Sequence, residues 1–186
     1  MTPDVNGKRH HFSAGGLYNG LVLLIDDESR SYWNHITGEA LHGELAGERL
    51  SMWGIEQSTV GSLLQSEPDL LLLISKQSRL ARLISWLALK WKGKLPLGFR
   101  FTMFPSDKRL PEMTIGLGIA EGAGRFYSLD SIGEGLEDEW QGNSIRVEVD
   151  AISGVPSAVF ADGSRPVQLF SRWYGFSQTF PDCEIR

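Results

Sequence analysis

The stretch Gly16-Leu17-Tyr18-Asn19-Gly20-Leu21-Val22-Leu23-Leu24-Ile25-Asp26-Asp27-Glu28-Ser29-Arg30-Ser31-Tyr32-Trp33-Asn34-His35-Ile36 decides the fold class. Asn19-Gly20 is a turn signal, and Leu21 to Ile25 is an aliphatic run too brief for a helix, so it reads as a buried strand. Asp26 to Ser31 is polar and turn-forming. Tyr32 to Ile36 suits a second strand, stopped by Thr37-Gly38. Strand, polar turn and strand together predict an antiparallel hairpin and a β-rich chain.

Downstream, Ser58 to Glu67 reads as a short helix with Ser58 as N-cap and Pro68 as its stop. Gly43 and Gly47 mark turns before Leu50 to Ile55, and Leu70 to Ile74 is a strand candidate. Ser78 to Trp91 is the best helical pattern, because Leu80, Leu83, Ile84, Leu87 and Trp91 share one face. After it the pattern is β and turn: Phe99 to Phe104, Thr114 to Ala120, Arg125 to Leu129, Ile145 to Val149, Ala158 to Phe160 and Val167 to Phe170. Gly133 to Asn143, acidic and glycine-bearing, reads as a surface loop. The expected class is α+β, mainly antiparallel β, with a prominent amphipathic helix at about 78–91 and a shorter one at about 58–67.

The 186 residues are 41% hydrophobic and 22% charged, which fits a globular chain with a single core. Cys183 is the only cysteine, so neither an internal disulfide nor a four-cysteine zinc site can form. Eighteen bases against 23 acids give a net charge of −5, and no nucleic-acid partner is expected. The start carries no apolar run of secretory type and no segment is long enough to span a bilayer, so the default compartment is the cytoplasm. The oligomeric state is not legible. Leu64-Gln65-Ser66-Glu67-Pro68-Asp69-Leu70 echoes Ser177-Gln178-Thr179-Phe180-Pro181-Asp182-Cys183. The chain is therefore read as one domain, 1–186, or as two related halves (about 1–75 and 107–186) joined by a basic helical segment.

Three blocks carry a resemblance: Gly16-Leu17-Tyr18-Asn19, Asp27 through Trp33, and Thr37-Gly38-Glu39-Ala40-Leu41-His42-Gly43-Glu44-Leu45-Ala46-Gly47. In order and spacing they resemble the bacterial and archaeal domain-of-unknown-function family 3179. Arg109-Leu110-Pro111, Gly116-Leu117-Gly118-Ile119, Gly124 to Leu129 and Trp173 to Asp182 are similar to its later segments. Longer members carry a Cys-Pro-Leu-Cys segment before the first block, which this sequence does not include, and His35 stands where glutamine is common. The resemblance implies a fold and no established activity.

His35, Glu39 and His42 have a spacing that would bind zinc on a helix, but Thr37-Gly38 and Gly43 break one there. They remain weak metal candidates, and no metal or other cofactor is expected. A G-x-S-x-G elbow and a P-loop are both absent from the sequence. Cys183 reads as a part-buried thiol. Trp33 is a candidate for stacking on a ligand, against the alternative that it fills the core.

From Leu70 to Ser106 there is no acid, while Lys76, Arg79, Arg82, Lys90, Lys92, Lys94 and Arg100 give +7, leaving −12 elsewhere. Arg79, Arg82, Trp86, Lys90 and Lys92 are thus candidate binding residues toward a protein partner or an anionic membrane surface. The expected function is a non-catalytic binding or structural module. The alternative is a hydrolase using His35, Glu39 and the Asp26–Asp27 turn, with Asp27 as its candidate carboxylate, around an aromatic-lined cleft.

Overall fold

In Ile115-Gly116-Leu117-Gly118-Ile119 every second residue is apolar and the residues between are glycines, a period of two that fits a strand with one bulky and one flat face. The computed structural model describes residues 3–18, 21–53, 55–73, 78, 80, 101 and 107–186. In it this segment is strand β7 (Ile115–Ile119) of a four-stranded sheet. The sheet has the order β12 (Gln168–Arg172), β7, β8 (Arg125–Ser128), β13 (Glu184–Ile185), and only β13 runs parallel to its neighbour.

The bulky face of β7 and β8 presents Leu117, Ile119 and Tyr127 to a three-stranded antiparallel sheet of β11 (Pro156–Phe160), β10 (Asn143–Val149) and β9 (Leu136–Trp140). Ile145, Val147, Ala158 and Trp140 fill that layer, closed at one end by Ile132 of the short helix α2 (Leu129–Ile132). The flat face meets helix α3 (Trp173–Thr179). A Cβ at position 118 would run into the Phe176 ring, so glycine there is what lets the helix approach. Phe126, Trp173, Phe176, Phe180 and Cys183 form this second core, joined by Ile36 from the first half of the chain.

The first half is a four-stranded antiparallel sheet in the order β3 (Phe12–Tyr18), β4 (Leu21–Asp26), β5 (Tyr32–Asn34), β6 (Ala40–His42), preceded by a small hairpin of β1 (Asp4–Val5) and β2 (Lys8–Arg9). Its core is Val5, Trp33, Ala40 and Leu50, with Phe12 edge-on to Trp33. Helix α1 (Val60–Ser66) follows and buries none of its residues; its N-cap is Thr59, whose hydroxyl accepts from the Ser62 amide, one residue beyond the Ser58 expected.

The chain is mainly antiparallel β with few helices. The expected prominent helix at 78–91 lies outside the described residues apart from Ser78 and Leu80, as does most of the Phe99–Phe104 strand candidate. Two further expectations are corrected. Gly133 to Asn143 is not merely a loop, because Leu136 to Trp140 is β9: Glu137 and Glu139 face solvent on alternate positions while Asp138 and Trp140 turn inward. Leu50 to Met52 has no strand of its own and follows β6 through the Glu39–Arg49 bridge, the Ala40 amide bond to Glu48 O, the Gly47 amide bond to Ala40 O and the Leu50 amide bond to Gly38 O. Leu70 to Leu73 forms none either, and Leu71 and Leu73 are almost wholly exposed.

Two turns share one hydrogen-bond scheme. The Asp26 amide donates to Ser31 O (3.1 Å), the Arg30 amide to Asp26 O (3.1 Å) and the Ser29 amide to Asp26 Oδ1 (2.6 Å). In the second half the Asp150 amide donates to Val155 O (3.0 Å), the Gly154 amide to Asp150 O (2.8 Å) and the Ser153 amide to Asp150 Oδ1 (2.6 Å). The fifth residue of each has positive φ, 57° at Arg30 and 68° at Gly154. Helices α1 and α3 match as well: each has seven residues, ends on a residue near φ −130°, ψ 79° (Glu67) or φ −124°, ψ 74° (Phe180), and turns through Pro-Asp.

Candidate functional site

Asp26 ends β4 and is fully buried. A carboxylate removed from water needs a donor for each lone pair, and this one has them. Oδ1 accepts the Ser29 amide and faces His10 Nδ1 at 3.1 Å; Oδ2 accepts the Ser29 hydroxyl (2.7 Å), the Ser31 amide (3.2 Å) and the Trp33 indole N–H (2.7 Å). Burial alone pushes the Asp26 carboxyl up, but the Trp33, Ser29 and His10 hydrogen bonds outweigh it and hold the group well below the ordinary carboxylate range. An ionised carboxylate only accepts, so His10 Nδ1 is the donor and the imidazole tautomer is set.

His10 follows β2, is itself buried, and also approaches Glu28 Oε2 at 3.8 Å. The exposed His11 takes the other side of Glu28: its Nδ1 lies 2.6 Å from Oε1 and its amide donates to Oε2 (2.9 Å). Those bonds lower the Glu28 carboxyl from its usual value. His10, Asp26 and Glu28 bring three ligand atoms within 4.8 Å of one another. A cleft of about 300 Å³ opens above them, bordered by His10, Glu28, Ser29, Glu44, Lys8 and Arg9.

Of the residues expected from sequence, Trp33 and Asp27 border this corner, and His35, Glu39 and His42 lie apart from it. His35 Nδ1 sits 2.6 Å from the Val22 carbonyl, Glu39 binds Arg49 (3.0 Å) and His42 lies beside the Tyr32 ring, with centroids 6.5 Å apart. Asp27 is exposed and 4.0 Å from Arg30. Trp33 is wholly buried, with its N–H spent on Asp26. Arg79, Arg82, Trp86, Lys90 and Lys92 lie outside the described residues. His10 carried no signal in sequence, because it meets Asp26 across sixteen residues and the whole of β3.

A second cleft, about 320 Å³, separates one face of the first sheet from the end of α3; Tyr18, Val22, Asn34 and Glu39 line one wall, Gln178 and Pro181 the other. Two arginines knit the second half together. Arg125 is buried, lies over the Trp140 ring, and joins Asp138 (3.0 Å), the Glu139 carbonyl (2.6 Å) and Glu184 (2.9 Å). Burial pushes the neighbouring Tyr127 phenol up to about 12. Arg109 caps the Pro181 and Cys183 carbonyls over the Trp173 ring, and burial raises the Cys183 thiol, consistent with an unreactive sulfur.

The pattern of a family described as proteins of unknown function, DUF3179, matches residues 2–164. The chain belongs to DUF3179. The match takes in the first sheet, the Asp26 turn, β7 to β11 and the second turn, and stops before β12 and α3. No curated protein and no solved structure matches this DUF3179 chain.

Proposed function

We propose that this DUF3179 member is a non-catalytic binding module that docks an anionic lipid surface through the stretch from Leu70 to Ser106. One observation carries the reading: Leu71 (95% exposed) and Leu73 (103%) stand bare at the head of a segment holding seven bases and no acid. An exposed leucine forgoes about 2 kcal/mol of burial until something covers it. Each Lys or Arg near an acidic leaflet adds about 1 kcal/mol. Aliphatic residues, Trp86, Trp91 and cations without acids suit the boundary between headgroups and acyl chains. Among the described residues no helix is long and apolar enough to cross a membrane, so the reading is of a surface contact.

The hydrolytic alternative has less support, because His35, Glu39 and Asp27 each engage a separate partner and do not converge on one reacting atom. The matched turns and matched helix–Pro-Asp corners support reading the two halves as copies of one unit. On that reading the leucines after Asp69 occupy the place that β13 holds after Asp182, without a strand to pair with among the described residues.

Co-sedimentation with vesicles tests the docking. The wild-type chain is expected to pellet with phosphatidylserine-containing vesicles and not with pure phosphatidylcholine. Changing Arg79, Arg82, Lys90 and Lys92 together to Glu should abolish the difference, and L71S/L73S should weaken it. Equal, low pelleting of the wild type with both lipids overturns the reading.

A further inference from the structure

We propose that His10, Asp26 and Glu28 form a binding site for a divalent cation of the zinc class. Three donors bound at about 2.1 Å to a tetrahedral ion lie roughly 3.4 Å apart. Here His10 Nδ1 is 3.1 Å from Asp26 Oδ1 and 3.8 Å from Glu28 Oε2. The cation would take the place of the proton now shared between Nδ1 and Oδ1, and the imidazole would bind as its neutral form. One nitrogen and two carboxylate oxygens suit zinc better than calcium or magnesium, which favour oxygen alone.

The second half of the chain supplies the internal control. Asp150 closes its turn with the same three bonds, and its carboxylate, which is exposed, receives the Ile152 and Ser153 amides and the Ser153 side chain. The Asp26 turn closes identically, yet it also draws in an indole, the Ser31 amide and a buried imidazole. Turn formation therefore accounts for the Ser29 amide bond and not for His10. With a cation bound, Ser29, Ser31 and Trp33 keep their bonds to Asp26 and hold it in place, the outer layer that a metal carboxylate ordinarily has. His11 does the same for Glu28.

Room for further ligands exists on the open side. The cleft of about 300 Å³ borders His10 and Glu28, so water can complete the coordination, and Glu44 stands on its wall. Of the two cations on the rim, Arg9 is drawn 3.5 Å from Asp4 and Lys8 is exposed at the surface. A bound ion would add a tie between the β1–β2 arm and the β4–β5 turn to the hydrogen bonds already there.

Titration calorimetry of the whole chain with zinc chloride, after dialysis against chelator, tests the site; the visible spectrum with cobalt(II) reports the ligands. One ion per chain with a dissociation constant on the order of 10 μM or tighter is expected, with a higher melting temperature on loading. E28Q, at a half-exposed position, should fold normally and weaken binding at least about tenfold, as should H10N. H11A removes a hold on Glu28 but no ligand, so it should keep one ion per chain at weaker affinity. Absence of binding up to about 1 mM zinc overturns the site, and so does affinity unchanged in E28Q.

Discussion

Asp26 shows how one side chain can serve a turn and a core at once. Its backbone and Oδ1 close the β4–β5 turn, while Oδ2 satisfies the indole of Trp33, the largest side chain of the first core. D26N keeps the shape but sets an amide N–H₂ against donors, so it should cost about 3 kcal/mol by urea unfolding at pH 7. The pH dependence follows from the depressed carboxyl. Unfolded, the group titrates near 3.8; folded, well below it. Its stabilisation is complete above the unfolded value and drains away as pH falls from there toward the folded value. The gap between wild type and D26N should therefore narrow from pH 5 to pH 2.5, and a constant gap would count against the assignment. At this scale the turn was legible, since Asp26, Ser29 and Ser31 are turn-forming residues. The partnership with His10 was not, because no local pattern announces a contact that depends on the path of β3.

The elements differ in how openly they declare themselves. Strands β4, β7, β8 and β10 were readable because their own apolar periodicity drives them. Strand β9 was hidden by its acids, whose solvent-facing positions are neutral to the fold, with Arg146 opposite Glu137. Helix α3 was hidden by composition: Tyr174, Gly175, Ser177 and Thr179 are poor helix formers, and the element exists because Trp173 and Phe176 are buried against β7 and β8. That docking depends on a missing side chain. G118A drives a methyl group into the Phe176 ring and should cost about 3 kcal/mol. Combined with F176L, which relieves the clash, the loss should be less than the sum of the two single changes, measured as a double-mutant cycle in denaturant.

Across the whole molecule, the end of the chain is held by charge as much as by packing. Arg125 reaches from β8 to Asp138 on β9 and to Glu184 on β13, and Arg186 approaches Asp138 at 3.5 Å. Asp138 is partly buried and its carboxyl is held low against burial by the Glu139 amide, Tyr127 and Arg125, so losing the guanidinium leaves only the more exposed Arg186 to balance its charge. R125M should cost about 2–3 kcal/mol. E184Q should change stability by no more than about 0.5 kcal/mol, because Glu184 is 56% exposed and its pairing is screened by water. Comparing the two unfolding midpoints separates the buried partner from the exposed one. At this scale the sequence disclosed the separation of charge, +7 between Leu70 and Ser106 against −12 elsewhere, but the arginine anchors join positions up to 74 residues apart and leave no mark in the linear pattern.

The paired loops make the protein modular in a practical sense. Asp150-Ala151-Ile152-Ser153-Gly154-Val155 and Asp26-Asp27-Glu28-Ser29-Arg30-Ser31 are interchangeable as backbone. Grafting the former over the latter would still let the chain reverse direction there, with a glycine relieving the positive φ of Arg30, but would remove the Ser29 hydroxyl bridge to Ser31 and the glutamate arm held by His11. The chimera thus dissects geometry from chemistry with a single swap, leaving the hairpin as a bare scaffold.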